Sequence, residues 1–343
     1  MSDNSQYTFG VIGLGKMGGG IARHALSKGL RVQGLDKTPA SDDLRQAGLV
    51  QHRSVTTLAQ ALRPPRIVFL YLPAGTLIDD MLGQLSGVLE KGDIVADGGN
   101  SYWGDSIRRH ARVQTTGLRF VDVGTSGGPG GALNGACFMV GGDREPVAVV
   151  EPILKLLAVP GGYIHAGGPG TGHFVKLVHN GIEFGMLQAI GEGVDLLERY
   201  RETLPTAEIL KCWRHGSVIR SWLVELMETM YRERSGLTVP AYVEDTGEVN
   251  WLVEDALHME VPIPVITQSV MQLLASRDEK HNWARAVAMM RHGFGGHPYG
   301  PASGIARERQ TGRVGGFIDE ATTQSTSSNI KQSQTRQGRS DSR

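Results

Sequence analysis

Several features that would place a chain at once are missing from this one. Among 343 residues there are only two cysteines, Cys137 and Cys212, so no disulfide framework can staple the fold. Neither sign of charge dominates: 35 Lys and Arg balance 35 Asp and Glu, which removes the electrostatic case for a nucleic-acid or membrane partner. No apolar run approaches the roughly 20 residues that cross a bilayer, and the opening MSDNSQYTF has no signal-peptide core. The expected compartment is the cytoplasm and the expected partner a small molecule. We assign no metal site and find no internal repeat.

The length exceeds what one hydrophobic core usually supports, so we expect two domains. YTFGVIG, RVQGLD, RIVFLYLP, DIVADGG and RFVDVG read as strands at fairly even spacing, separated by helical stretches. That is the pattern of a parallel sheet with helices on both sides. From about Gly172 the pattern becomes helix after helix: FVKLVHNGIEFGMLQAIGEGVDLL, TAEILKCWRHGSVIRSWLVELMETM, PVITQSVMQLLAS and WARAVAMMRHG. The expected fold class is an α/β Rossmann-type dinucleotide-binding domain over residues 1–168, followed by an all-α domain over 169–301. The polar stretch 302–343 has too few apolar residues to order itself.

The Rossmann expectation rests on FGVIGLGKMGGG, where Gly13, Gly15 and Gly18 sit between a strand and a helix. In that arrangement the first glycine permits the tight turn, the second lets backbone approach a pyrophosphate, and the third allows close helix packing. The helix N-terminus adds free N–H groups and partial positive charge. Asp36 ends the next strand, where a carboxylate can hold a ribose 2′-hydroxyl and repel a 2′-phosphate. NAD is therefore the expected cofactor and NADP the less favoured one.

Two glycine-flanked loops, DGGNS with Asn100 and GTSGG with Ser126, Gly127 and Gly128, follow strands whose C-terminal ends should face the cofactor crevice. The first helix of the second half then carries Lys176, His179, Asn180 and Glu183 at i, i+3, i+4 and i+7, one polar stripe among apolar neighbours. Desolvation of a lysine there lowers its pKa and makes it a usable base, and Glu183 can supply an acid. Gly181 and Gly185 weaken the helix and are expected to permit close approach of neighbouring backbone.

The motifs GLGKMG, FLYLPAG, DGGNS, DVGTSGG, CFMVGG, GHFVKLVHNGIEFG and FGGH resemble the decarboxylating 6-phosphogluconate dehydrogenase family, in its short NAD-linked bacterial form, from about Phe9 to His297. The wider β-hydroxyacid dehydrogenase superfamily shares the glycine turn and the lysine with an asparagine four residues on. His179 and Glu183 point to the narrower family. The resemblance implies catalysis by Lys176 as base and Glu183 as acid, with substrate held by Asn100, Ser126, Gly127, Gly128, His179 and Asn180. It implies cofactor contacts from Gly13, Gly15, Lys16, Met17, Gly18, Asp36, Leu72, Pro73 and Asn100. The substrate would be a sugar-acid phosphate, with Arg291 and His297 reaching a neighbouring subunit of a homodimer or higher homo-oligomer to complete composite sites.

This chain departs from the family where related chains have a basic residue before the tryptophan of a GEGRW-like segment, here Asn250, and an arginine in the next helix, here Leu273. Arg277, one turn on, is either a substitute or a solvated charge. Two other functions stay open: a non-decarboxylating β-hydroxyacid dehydrogenase, against which Glu183 argues, and a dinucleotide-binding paralogue without activity, against which Lys176, Asn180 and Glu183 argue.

Overall fold

The computed structural model describes residues 4–301. The first part alternates β1 (Thr8–Ile12), α1 (Lys16–Ser27), β2 (Arg31–Leu35), α2 (Asp42–Gln46), β3 (Val50–His52), α3 (Val55–Gln60), β4 (Ile67–Leu70), α4 (Thr76–Ser86), β5 (Ile94–Asp97), α5 (Trp103–Gln114) and β6 (Arg119–Ser126). It continues through α6 (Gly128–Asn134), β7 (Ala136–Gly141), α7 (Arg144–Leu157) and β8 (Ala158–Gly167). These strands make one sheet in the order β3-β2-β1-β4-β5-β6-β7-β8.

Consecutive side chains of a strand point to opposite faces, and the core follows that rule. Phe9, Val11 and Phe69 join a layer with Ile21, Val121 and Phe138, while Ile12, Val68 and Leu70 join a second layer with Leu58, Leu82 and Phe120. All four residues of β4 are buried, as expected for a strand covered by helices on both sides. Each expected strand is present. The sequence reading missed β3, β7 and β8, and the sheet is not wholly parallel, because β7 runs antiparallel to β6. The seven-residue α6 is too short to carry the chain back across the sheet, so β7 returns alongside the strand it left.

The helices that follow are α8 (Thr171–Glu198), α9 (Thr206–Trp213), α10 (Trp222–Glu233), α11 (Glu248–His258), α12 (Pro264–Ser276) and α13 (Asn282–Gly295). The stretch TAEILK…ETM, expected as one helical run, is two helices. Gly216 adopts φ +71° between them, and the Ser221 side chain caps α10 by accepting the Val224 N–H at 3.2 Å. By its internal contacts one compact unit ends at Arg277, and a second begins at Asp278. The sheet and α8 to α12 thus belong to one unit, and α13 to the other. Among the described residues, no helix is long and apolar enough to cross a membrane. The polar stretch 302–343 lies outside the described residues.

Candidate active site

At the end of β1 the chain turns into α1 through Gly13, whose φ of +93° only glycine tolerates well. A Cβ on Gly13 would run into the Tyr71 carbonyl, and one on Gly18 into the Gly13 carbonyl, whereas the space before Gly15 is open to 4 Å. Gly15 caps α1 without a side-chain bond, so the N–H groups of that first turn remain available to a phosphate. Asp36 accepts the Leu14 N–H at 2.6 Å with one oxygen and the Thr38 N–H and hydroxyl at 2.9 Å with the other. Burial opposes its ionisation, but these donors and Lys37 outweigh it and hold the carboxyl below its ordinary value. The crevice fits a dinucleotide: open backbone at Gly15, a helix N-terminus behind it and a fixed carboxylate at the next strand end. Lys16 is exposed on the first turn of α1, and Pro73 is exposed after β4.

The two substrate loops are braced from below. Asp97, wholly buried at the end of β5, accepts the Gly99 N–H at 3.1 Å and the Ser101 hydroxyl at 2.8 Å. Arg109, also wholly buried, donates to Ser101 Oγ at 3.2 Å, to the Gly75 carbonyl at 2.8 Å and to Asp79 at 3.1 Å. It therefore ties the loop after β4 to the loop carrying Asn100. The Arg108 and Arg109 bonds overcome burial and hold the Asp79 carboxyl at about 2.

Helix α8 is fastened to the sheet by Asp122 of β6, whose oxygens accept the Gly170 N–H at 2.7 Å and the His173 N–H at 2.9 Å. A buried carboxylate at a helix N-terminus satisfies orphan donors and complements the dipole. Glycines bring the helix close: a Cβ on Gly124 would lie 2.5 Å from the Lys176 Cβ, and one on Gly172 would lie 2.6 Å from the Asp122 carbonyl. The lysine stem consequently rests on β6. Its Nζ donates to Asn180 Oδ1 and lies 3.3 Å from His179 Nδ1. His179 Nε2 is 3.0 Å from Ser126 Oγ, Asn180 Nδ2 reaches Asn100 Oδ1 at 3.4 Å, and Glu183 is 3.8 Å from His179 Nδ1.

Burial lowers the Lys176 pKa, opposed by the charges of Glu183, Glu248 and Cys137. Burial, then the adjacent Lys176 charge, lowers that of His179. Both effects disfavour the imidazolium, against the Asn180 hydrogen bond and the Glu183 charge, which favour it. Met17, Leu72, Asn100, Ser126, Gly127, Gly128, Lys176, His179, Asn180 and Glu183 all line one pocket of about 830 Å³. Such a constellation can remove a proton, relay it and return it at a second position within one cavity.

Residues 8–167 match the NAD binding domain of 6-phosphogluconate dehydrogenase, and residues 172–298 match the C-terminal domain of 6-phosphogluconate dehydrogenase. The chain belongs to the 6-phosphogluconate dehydrogenase family. It is an oxidoreductase. It is 40% identical over 290 residues to YqeC of Bacillus subtilis, covering 84% of this chain and 97% of that one. It is 38% identical over 292 residues to the NAD(+)-dependent, decarboxylating 6-phosphogluconate dehydrogenase of Haloferax volcanii, with the same two shares, 84% and 97%. Its fold is similar to that of Plasmodium falciparum 6-phosphogluconate dehydrogenase, with a TM-score of 0.71 at 23% identity, covering 86% of this chain and 66% of that one.

Within this family member, sequence reasoning missed several pocket residues. Tyr71, Thr125, Trp222, Leu226 and Glu248 also line the cavity. Glu248 opens α11 and accepts the Thr246 hydroxyl; the acid just before the unusual Asn250 was the available signal. Asn250 itself is exposed and Leu273 half-buried. The question over Arg277 has an answer: its guanidinium donates to Glu244 at 3.1 Å and Asp245 at 3.3 Å, so it is committed to the loop before α11. A Cβ on Gly181 would overlap Leu252, a side chain rather than the backbone expected, while one on Gly185 would meet only Val265 at 3.5 Å. Arg291 and His297 lie in the second unit, both outside its interior; Gly296 turns the chain at φ +61° between them.

Proposed function

We propose that this chain catalyses NAD-dependent oxidative decarboxylation of 6-phosphogluconate, or a close phosphorylated aldonate, to ribulose 5-phosphate, CO2 and NADH. The observation that carries the reading is the half-buried Lys176, hydrogen-bonded to Asn180 and sharing a pocket with Asn100, Ser126 and Glu183. Lys176 takes the proton from the C3 hydroxyl as C3 is oxidised. When bound, the nicotinamide accepts the hydride. The product is a β-keto acid, and protonated Lys176 donates to its C3 carbonyl so that the C1–C2 bond can break and release CO2. Glu183 then protonates C1 of the enediol. Asn100, Ser126, Gly127, Gly128, His179 and Asn180 orient the acid and its hydroxyls, and the imidazole of His179 lies between Lys176 and Ser126, where it can link the two.

On this reading residues 1–168 serve the cofactor and 169–301 the substrate and subunit contacts. Gly13, Gly15, Lys16, Met17 and Gly18 hold the pyrophosphate side, Leu72, Pro73 and Asn100 the nicotinamide side, and Asp36 the ribose, which favours NAD over NADP. Arg291 and His297 clamp the phosphate from a second subunit, so the working form is at least a homodimer in the cytoplasm. The reading is consistent with a pocket in whose lining, among the described residues, Lys176 is the only Lys or Arg side chain, so the phosphate contacts are assigned to Arg291 and His297.

The test is a panel of aldonates with and without phosphate, assayed with NAD and NADP. The highest kcat/KM is expected for 6-phosphogluconate with NAD. Preference for an unphosphorylated acid, or for NADP, would overturn the assignment.

A further inference from the structure

Asp255, on α11, is buried, has no ion-pair partner among the described residues and does not line the pocket. An unpaired buried carboxylate is costly unless hydrogen bonds compensate it. Its two oxygens are committed to consecutive residues: Oδ1 accepts the Tyr102 hydroxyl at 2.9 Å and Oδ2 accepts the Trp103 indole N–H at 2.6 Å. Both rings are seated in the helices as well. Tyr102 packs edge-on against Trp251 at 5.6 Å, and Trp103 against Phe174 at 5.8 Å.

These two aromatics directly follow Asn100 and Ser101, the loop that faces Lys176 across the pocket. On the other side, α11 presses Leu252 into the space left by the missing Cβ of Gly181, next to Asn180. The direct link at the site, Asn180 Nδ2 to Asn100 Oδ1, is 3.4 Å long and too weak to fix the spacing by itself. We infer that Asp255 is a positioning residue, a latch between α11 and the start of α5 that sets the separation of Asn100 from Lys176 and Asn180. This role rests on the proposed reaction for its kinetic consequences, but not for its structural ones.

The side-chain chemistry supplies a discriminating series. In Asp255→Asn the amide oxygen can still accept the Trp103 N–H, and the amide nitrogen can donate to Tyr102, whose hydroxyl rotates to accept. Asp255→Leu loses both bonds. Trp103→Phe loses one and keeps a ring against Phe174. Misplacing a reacting group by about 1 Å costs about 100-fold, so kcat should fall by about that factor in Asp255→Leu and by about tenfold in Trp103→Phe. Asp255→Asn should stay within about threefold of the parent. NAD affinity, read by fluorescence titration, should change by no more than about threefold, because Gly13, Gly15 and Asp36 make no contact with the latch and Asn100 is the one proposed cofactor contact that moves with it.

Kinetics are to be measured well below each variant's melting temperature, on whichever aldonate the parent enzyme oxidises best. Crystal structures of Asp255→Leu and Trp103→Phe should show Asn100 and Asn180 beyond hydrogen-bond reach, and this readout holds whatever the substrate proves to be. Full kcat in folded Asp255→Leu, an Asn variant as impaired as Leu, or an unchanged Asn100–Asn180 distance would each overturn the latch. If Asp255→Leu does not fold, Trp103→Phe decides by the same distance and rate.

Discussion

The sheet and the helices α8 to α12 share one compact unit but treat their apolar residues in opposite ways. In the sheet Phe9, Phe69 and Phe120 are at most 1% exposed, whereas among the helices Leu196, Val265 and Leu257 are 73%, 69% and 75% exposed. The buried cluster of the helices is small, with Leu177, Val249, Leu252 and Val270 at its centre. A sheet covered on both faces closes its own core, while helices with so small a buried cluster leave large apolar side chains at the surface. On the proposed function, the exposed apolar residues of the helical half are where a second subunit would pack to complete a composite site.

The comparison breaks most visibly at Lys176. Lys176→Met should lower kcat by at least ~10²–10⁴-fold, the contribution of a general base, while NAD affinity measured by titration stays at the parent value. Loss of both together would mean that the halves are not separable in this way.

Next in size is the effect of the phosphate clamp that the proposed function assigns to Arg291 of α13 in a second subunit. Arg291→Ala should raise KM for the phosphorylated substrate by an amount equivalent to ~2–5 kcal/mol, as when a buried charge pair loses one partner. Mixing inactive Lys176→Ala with inactive Arg291→Ala by co-refolding should return about a quarter of normal activity, since half the dimers are mixed and each has one undamaged site. No recovery in verified mixed dimers would place the clamp within its own subunit.

Asp36 sharpens the other side of the comparison, because it should act without any help from the helices. Its charge near a 2′-phosphate is worth about 1–4 kcal/mol, so Asp36→Ala should narrow the NAD-over-NADP ratio of kcat/KM at least about fivefold. An unchanged ratio would take Asp36 out of cofactor choice.

The smallest effect concerns stability. Burial lowers the pKa of Lys176 from its ordinary 10.5, so the folded state releases that proton before the unfolded chain does. The penalty for folding with a charged lysine is complete below the folded pKa and fades as pH rises from there to 10.5. Lys176→Met should therefore stabilise the protein slightly at neutral pH in urea titrations, and the gain should vanish toward pH 10.5. A destabilised variant at neutral pH would mean that the lysine contacts outweigh its desolvation.

How much could be read in advance follows from the range of each constraint. The turn at Gly13, Gly15 and Gly18 was legible because steric limits on backbone are local. The stripe from Lys176 to Glu183 was legible because helical period is local too. The antiparallel return of β7 was not, since nothing in ACFMVG distinguishes the two directions of pairing. Contacts between distant elements were invisible as well: Tyr102 and Asp255 lie 153 residues apart, and neither is unusual in its own segment. Arg109 looked like one of three arginines on the polar α5, yet it alone is fully buried there. Glycines that accommodate α8, such as Gly124 within β6, were the overlooked hint that a helix lies on that strand.

The central claim, that Lys176 acts as base in the NAD-dependent oxidation and Glu183 protonates the enediol left after CO2 loss, meets its most direct test in following NADH and CO2 together during turnover of 6-phosphogluconate by the purified protein. One CO2 per NADH is expected at every time point, with solvent proton entering at C1 of the product. NADH without CO2 would contradict the account and leave a plain hydroxyacid dehydrogenase in its place.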